Sequence, residues 1–242
     1  LAQTVQRNLR RGVENVSLYE IGHVYLWDPN APAIPALPGA VKPTDEQLAG
    51  GAPRELSLVM LVAGLMGMYA SLSLIQAEKQ MLREPLEALS CDINPLIGCG
   101  KFLNSPVNAV FFGVSNAVYG LAFFAGITAL GLVLASGGRF GRWLWAVVDL
   151  GMVGAAVWVA WFQWTSFTVE ESLCPYCLIT WTATIPLVIN VLARSAQAGH
   201  FPCPAGLRRF LVKGRWYIVA AVYAALVLFA VVWFWDQWLL VF

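Results

Sequence analysis

Cys174-Pro-Tyr-Cys177-Leu-Ile-Thr180-Trp181-Thr-Ala-Thr-Ile-Pro-Leu-Val-Ile-Asn190-Val-Leu-Ala193 joins a C-x-x-C motif directly to an apolar run of helix length. About 20 residues at about 1.5 Å each cross a hydrocarbon core about 30 Å thick. Lipid offers no partner to an open backbone group, so such a run must be helical. Working outward, four further runs qualify: Leu56–Ala77, roughly Asn116–Ser136, roughly Trp143–Phe167, and Trp216–Trp235. Composition agrees. The 242 residues are 59% hydrophobic and 12% charged, with a mean hydropathy of +0.66, whereas soluble domains average about 25% charged. The expected fold is all-α and integral to a lipid bilayer, with five transmembrane helices. A net charge of +1 says nothing about nucleic acid; with no basic stripe and no aromatic-basic repeat, no nucleic-acid partner is expected.

Lys and Arg in the loops set the orientation. With the N-terminus cytoplasmic, twelve of them (Arg7, Arg10, Arg11, Lys42, Arg54, Arg139, Arg142, Arg194, Arg208, Arg209, Lys213 and Arg215) fall inside. Three fall outside: Lys79, Arg83 and Lys101. Trp143, Trp145, Trp164, Trp216 and Trp238 lie near span ends and read as interfacial anchors. Asp149, inside the third span, is placed to pair with Arg142 seven residues earlier, and Gln163 to reach the headgroups.

Four of the five cysteines fall on the outer side: Cys91, Cys99, Cys174 and Cys177. Cys203 lies inside and reads as a bystander. Cys174 occupies the N-cap or first turn of its helix, and Pro175 suits the first helical position. The free amides and dipole there favour a thiolate, the attacking form of the thiol, while Glu170 and Glu171 oppose it. Cys177 shares the same helix face, one turn deeper. Three readings of the four cysteines stay open. Zinc would use four thiolates, usually as two close pairs. Two inert structural disulfides are the second reading. The third, a two-pair redox relay, is favoured by the C-x-x-C at the membrane surface, where a disulfide is exchangeable.

At these residues a resemblance becomes specific. Cys91-Asp-Ile-Asn-Pro-Leu-Ile-Gly-Cys99-Gly-Lys-Phe-Leu-Asn-Ser105, Ser115-Asn116-Ala-Val-Tyr119-Gly120 and Cys174-Pro-Tyr-Cys177-Leu-Ile-Thr180-Trp181 resemble the vitamin K epoxide reductase family over about residues 56–193. The resemblance implies a four-helix bundle around a quinone site, with menaquinone or ubiquinone as electron acceptor and no metal. Cys174 and Cys177 would be the active-site pair, with Cys177 reacting with the quinone. Cys91 and Cys99 would carry electrons from an outside partner, Cys99 attacking Cys174. Asn116 would donate a hydrogen bond to a quinone carbonyl, or else cap the second helix. Trp181 matches a position often held by Tyr, Ser105 a hydroxyl that shapes the pocket, and Phe111, Phe112, Tyr119 and Phe123 its lining. Bacterial relatives often continue beyond a fifth helix into a thioredoxin-like domain. The sequence ends at Phe242, so the expected electron donor is a separate extracytoplasmic thioredoxin-fold protein.

Residues 1–55 differ in character, with six prolines from Pro29 to Pro53. Asn8-Leu-Arg-Arg-Gly-Val-Glu-Asn-Val-Ser-Leu-Tyr-Glu-Ile-Gly22-His-Val-Tyr25 and Lys42-Pro-Thr-Asp-Glu-Gln-Leu48 resemble a fragment of the phenylalanyl-tRNA synthetase β chain. Val16, Leu18, Ile21, Val24 and Tyr25 could pair as a strand with some partner. The expected organisation is a cytoplasmic extension without its own activity (1–55), a catalytic domain (56–193), an inner loop (194–215) and the fifth helix (216–242). The expected function is a multi-pass plasma-membrane thiol oxidoreductase, redox site outward, that oxidises the partner, reduces the quinone pool and supports disulfide formation. The alternatives are quinone-epoxide or quinone reduction of the vitamin K cycle type, and a non-catalytic membrane protein with structural disulfides or zinc. The charge split predicts that an impermeant thiol reagent applied to intact cells labels Cys91 after reduction and never Cys203. Labelling of Cys203 from outside would overturn the orientation.

Overall fold

A computed structural model of the chain describes residues 44–85, 87–201 and 203–241. The candidate strand residues between Val16 and Tyr25 and the rest of the synthetase-like stretch before Thr44 lie outside the described residues. Helices α1 (Asp45–Leu48), α2 (Arg54–Arg83), α3 (Gly100–Asn104), α4 (Asn116–Ala135), α5 (Arg142–Thr168), α6 (Pro175–Ala198), α7 (Ala205–Trp233) and α8 (Trp235–Val241) follow in order. A 3-10 turn, Pro106–Ala109, separates α3 from α4. Five of these helices (α2, α4, α5, α6 and α7) are long and apolar enough to cross a membrane. The all-α membrane architecture expected from the sequence is therefore the observed one.

Close packing holds α2 against α4. Gly64 faces Thr128, Gly67 faces Phe124, Ser71 faces Gly120 and Met60 faces Gly131, so the two helices run antiparallel. A Cβ on Gly67 would land on the Phe124 ring, itself 2% exposed. With lipid as apolar as leucine, small residues that let helices approach are what drives such association. α6 packs on the other side of α2 and also touches α5 and α7. Two buried clusters result. One, built on Met60, Phe124, Met152 and Leu187, fills the middle and one end of the bundle. The other gathers Cys91, Cys99, Cys174 and Cys177 with Leu89, Leu96, Phe102 and Phe167 at the opposite end.

The end away from the cysteines differs from expectation in several ways. Arg194 is 3% exposed. Its guanidinium donates to the carbonyls of Gly51 (2.6 Å) and Gln47 (3.2 Å) and lies 3.7 Å over the Trp145 ring. Trp145 is itself 1% exposed and donates through Nε1 to the Gly50 carbonyl at 2.9 Å, so it is a core residue and no interfacial anchor. Gln47 completes a capping box with Thr44 and donates to Gln197 at 2.9 Å. Residues 47–52 thus pack into the bundle, and a boundary at 55 falls inside α2. Asp149 lies near Ser195 and Arg194 on α6; it lines a pocket together with Arg142 but forms no salt bridge with it. Gln163 keeps its Nε2 buried without a partner. The loop expected over 194–215 shrinks to 199–204. α6 runs on to Ala198 and ends at Gly199 with a left-handed φ of 74°, and α7 starts at Ala205. The charged run Arg208–Arg215 is the polar first part of α7, with Arg215 paired to Glu55.

The two kinds of glycine predict opposite outcomes. Gly67→Ala should cost about 1–3 kcal/mol through overpacking. Gly154→Ala, whose new Cβ meets nothing within 4 Å, should change stability by less than about 0.5 kcal/mol. Unfolding in mixed micelles measures both.

Candidate active site

The loop after α2 is tied down by its own side chains. Asn94 Oδ1 accepts from the amides of Leu96 (3.0 Å) and Ile97 (2.7 Å). The next stretch pairs with the segment ahead of α6. Leu173 N donates to Leu96 O (2.8 Å), Gly98 N to Leu173 O (3.1 Å), and Ser172 Oγ to Leu96 O (3.0 Å). This is an isolated parallel bridge between Ile97 and Leu173. Glu171, at φ 46°, makes the turn that delivers this segment from α5.

The bridge sets the sulfur geometry. Cys91 and Cys99 form a disulfide with Cα atoms 5.8 Å apart. Cys174 and Cys177 are free thiols. Cys174 Sγ lies 3.7 Å from Cys99 Sγ. Cys174 is the N-cap of α6 with Pro175 at the first helical position, as the sequence suggests. The Cys174 thiol is held below its ordinary pKa, chiefly by the hydrogen bond from the Cys177 side chain; burial and the Asp92 charge act the other way. All four sulfur residues are buried, at 4% (Cys91), 0% (Cys99), 1% (Cys174) and 8% (Cys177) exposure. Cys203 lies at the other end of the bundle. Among the described residues no cluster of three or more His, Cys, Asp or Glu is arranged to hold a metal.

Cys177 also lines a cavity of about 390 Å³ between α2, α4, α5 and α6. Asn116, Tyr119, Phe123 and Trp181 line it as well, with Phe111. Ser105 and Phe112 are not among its lining residues. Ser105 instead caps the 3-10 turn, accepting from Val107 N at 3.3 Å. Phe112 is 96% exposed at a φ of 53°, because the turn that brings Phe111 inward swings its neighbour out. Phe111 stacks on Trp158 with ring centroids 5.2 Å apart. The α5 wall (Gly151, Gly154, Trp158 and Phe162) was not anticipated. Its signal is the spacing of two glycines and a Trp along one helix face. Thr180 and Thr184 of α6 were missed as well, and both spend their hydroxyls on backbone carbonyls four residues back.

Asn116 does not cap α4; Ser115 does, accepting from Ala117 N. Asn116 donates through Nδ2 to Val107 O at 2.6 Å. Its Oδ1 is buried with no partner. A buried carbonyl left unmatched costs about 1–3 kcal/mol, and Asn116 is one of the residues that line the cavity.

The vitamin K epoxide reductase family model matches residues 58–192. A model of the phenylalanyl tRNA synthetase beta chain CLM domain matches residues 1–67. Over 49 residues the chain is 88% identical to the phenylalanine--tRNA ligase beta subunit of Bifidobacterium longum (strain NCC 2705). That stretch is 20% of this chain and spans only 6% of that protein's length.

The hydrogen bond from Cys177 predicts a pH effect. Cys177→Ala removes the largest influence lowering the Cys174 pKa, so the pH midpoint for Cys174 reacting with a small methanethiosulfonate should rise. Cys177→Ser, which keeps a donor, should leave it nearer the parent value. Both are read with Cys203→Ala as background. Equal midpoints in all three proteins would remove this role from Cys177.

Proposed function

The chain belongs to the vitamin K epoxide reductase family, membrane oxidoreductases of thiols, disulfides and quinones, and on that premise we propose that it oxidises an extracytoplasmic thioredoxin-fold protein and reduces a membrane quinone. The observation that carries this reading is one sulfur contact. Cys174 Sγ stands 3.7 Å from Cys99 Sγ while Cys177, one helical turn on, lines the cavity. The relay is thus continuous from the loop pair to the cavity wall.

Each step balances as thiol–disulfide exchange. The partner's two thiols reduce the Cys91–Cys99 disulfide and the partner leaves oxidised. Cys99 thiolate attacks Cys174 of a Cys174–Cys177 disulfide, and Cys177 departs as thiolate. Cys91 thiolate then attacks Cys99, releasing Cys174. The outcome, Cys91–Cys99 bonded and Cys174 and Cys177 free, is the state the structure holds. A quinone in the cavity supplies the oxidising power, taking two electrons and two protons. The residues lining the cavity fit such a ligand. Trp158, Phe111 and Phe123 offer ring faces, and the orphan Asn116 Oδ1 would accept from the hydroxyl of the reduced form, its second amide hydrogen serving the oxidised form. Disulfide-bond formation outside the cell is the role this chemistry supports. The donor side faces outward in the orientation that the charge split favours.

The purified protein, given a reduced thioredoxin-fold protein and menaquinone or ubiquinone, should consume two partner thiols per quinone reduced. Turnover of a quinone epoxide, without quinone-dependent thiol oxidation, would favour the vitamin K cycle reading instead. Cys91→Ala/Cys177→Ala, treated with diamide, which accepts the two electrons, should yield a Cys99–Cys174 bridge on peptide mapping. If that bridge never forms, and Cys177→Ala alone keeps full quinone turnover, the order of the relay is wrong.

A further inference from the structure

We propose that Asp92 is the positioning residue of the shuttle loop: its carboxylate clamps the backbone amides of Cys99 and Gly100 and holds the Cys99 sulfur against Cys174 whether or not the Cys91–Cys99 bond is closed. This inference rests on the relay order above.

The clamp follows from what a helix start needs. The first amides of a helix lack intrahelical partners, and the N-cap side chain ordinarily serves one of them. Here the N-cap of α3 is Cys99, and its side chain makes no capping bond. Its sulfur is committed to Cys91 and faces Cys174. Asp92, seven residues earlier, takes over the neighbouring amides. Its Oδ1 accepts from Cys99 N at 2.7 Å and from Gly100 N at 3.0 Å. Bonds to an ionised acceptor are roughly twice as strong as neutral ones.

The glycines on either side of Cys99 make the approach possible. A Cβ on Gly98 would stand 2.6 Å from Asp92 Oδ1, and one on Gly100 would stand 3.0 Å from Asp92 Oδ2. Neither glycine has a positive φ, so what they provide is space for the carboxylate.

Asp92 also directly follows Cys91. The clamp therefore closes nearly the same loop as the disulfide, by a bond that survives reduction. During a cycle Cys91 and Cys99 are both thiols before Cys99 attacks Cys174. At that moment only non-covalent contacts keep Cys91 near enough to resolve the Cys99–Cys174 bridge, and loop closure carries an entropic cost. The clamp lowers that cost.

The test compares Asp92→Ala with Asp92→Asn, which keeps a carbonyl acceptor, in the Cys91→Ala/Cys177→Ala background. There no disulfide restrains the loop. The rate of Cys99–Cys174 bridge formation with diamide should fall at least about tenfold for Asp92→Ala and stay within about threefold of the parent for Asp92→Asn. With all cysteines present, Asp92→Ala should make the Cys91–Cys99 disulfide about tenfold easier to reduce, a rise in potential of about 30 mV. The native disulfide supports folding in that second background, so a variant that fails to fold in one set is read in the other. Equal bridging rates for Asp92→Ala and its parent, Asp92→Asn no faster than Asp92→Ala, or an unchanged potential would overturn the clamp. Neither measurement uses quinone or partner. Absent quinone turnover in the wild-type protein would therefore count against the function, and leave the clamp measured on its own.

Discussion

Two backbone hydrogen bonds hold the redox geometry together. Leu173 bonds on both sides to the stretch Leu96–Gly98, joining a loop after the first span to the approach of the fourth. The two sulfurs in contact, those of Cys99 and Cys174, lie within two residues of this bridge. Cys99 follows Ile97 by two positions and Cys174 follows Leu173 by one, so a contact between residues 75 apart in sequence is fixed by backbone register. The helices serve that register. α2 and α4 meet through glycines, α6 packs on α2, and the turn at Glu171 brings the segment before α6 under the loop.

Much of this was legible because its determinants are local. Length and hydropathy disclose the spans, since crossing a bilayer is a constraint on consecutive residues. Pro175 marks the start of α6, and with it the N-cap position of Cys174, because proline suits the first helical residue. What stayed hidden depends on tertiary neighbours. Arg194 reads as one more inner-side charge, yet it is buried between Trp145 and the Gly51 carbonyl. Nothing in the local spacing of Asp149 points to a helix some 45 residues on. The start of α7 was obscured for a different reason. Its first turns are rich in Arg and Lys, which a hydropathy criterion reads as loop although they are good helix formers.

The cavity illustrates the same division. Asn116, Tyr119 and Phe123, at and after a helix start, share one face of α4 by helical periodicity and line the cavity together. The irregular stretch before it has no such period. Phe111 and Phe112 are neighbours of the same type, and only the left-handed backbone at Phe112 decides that one stacks on Trp158 while the other is exposed. The two ends of the Asn116 amide differ in a way that the residue type does not disclose. Its donor is engaged by Val107, and its acceptor is the group left open.

The depth at which the sulfurs sit has a consequence for the protein's durability. A cysteine inclined to ionise is normally the first to meet peroxide and climb through sulfenic to irreversible sulfinic and sulfonic acids. Cys174 has that inclination but is 1% exposed, sealed by the loop on one side and by the bundle on the other. A sulfur inclined to ionise but buried meets such oxidants more slowly than an exposed one would. The overoxidation that retires exposed thiols falls first on Cys203, which is partly accessible and takes no part in the proposed relay.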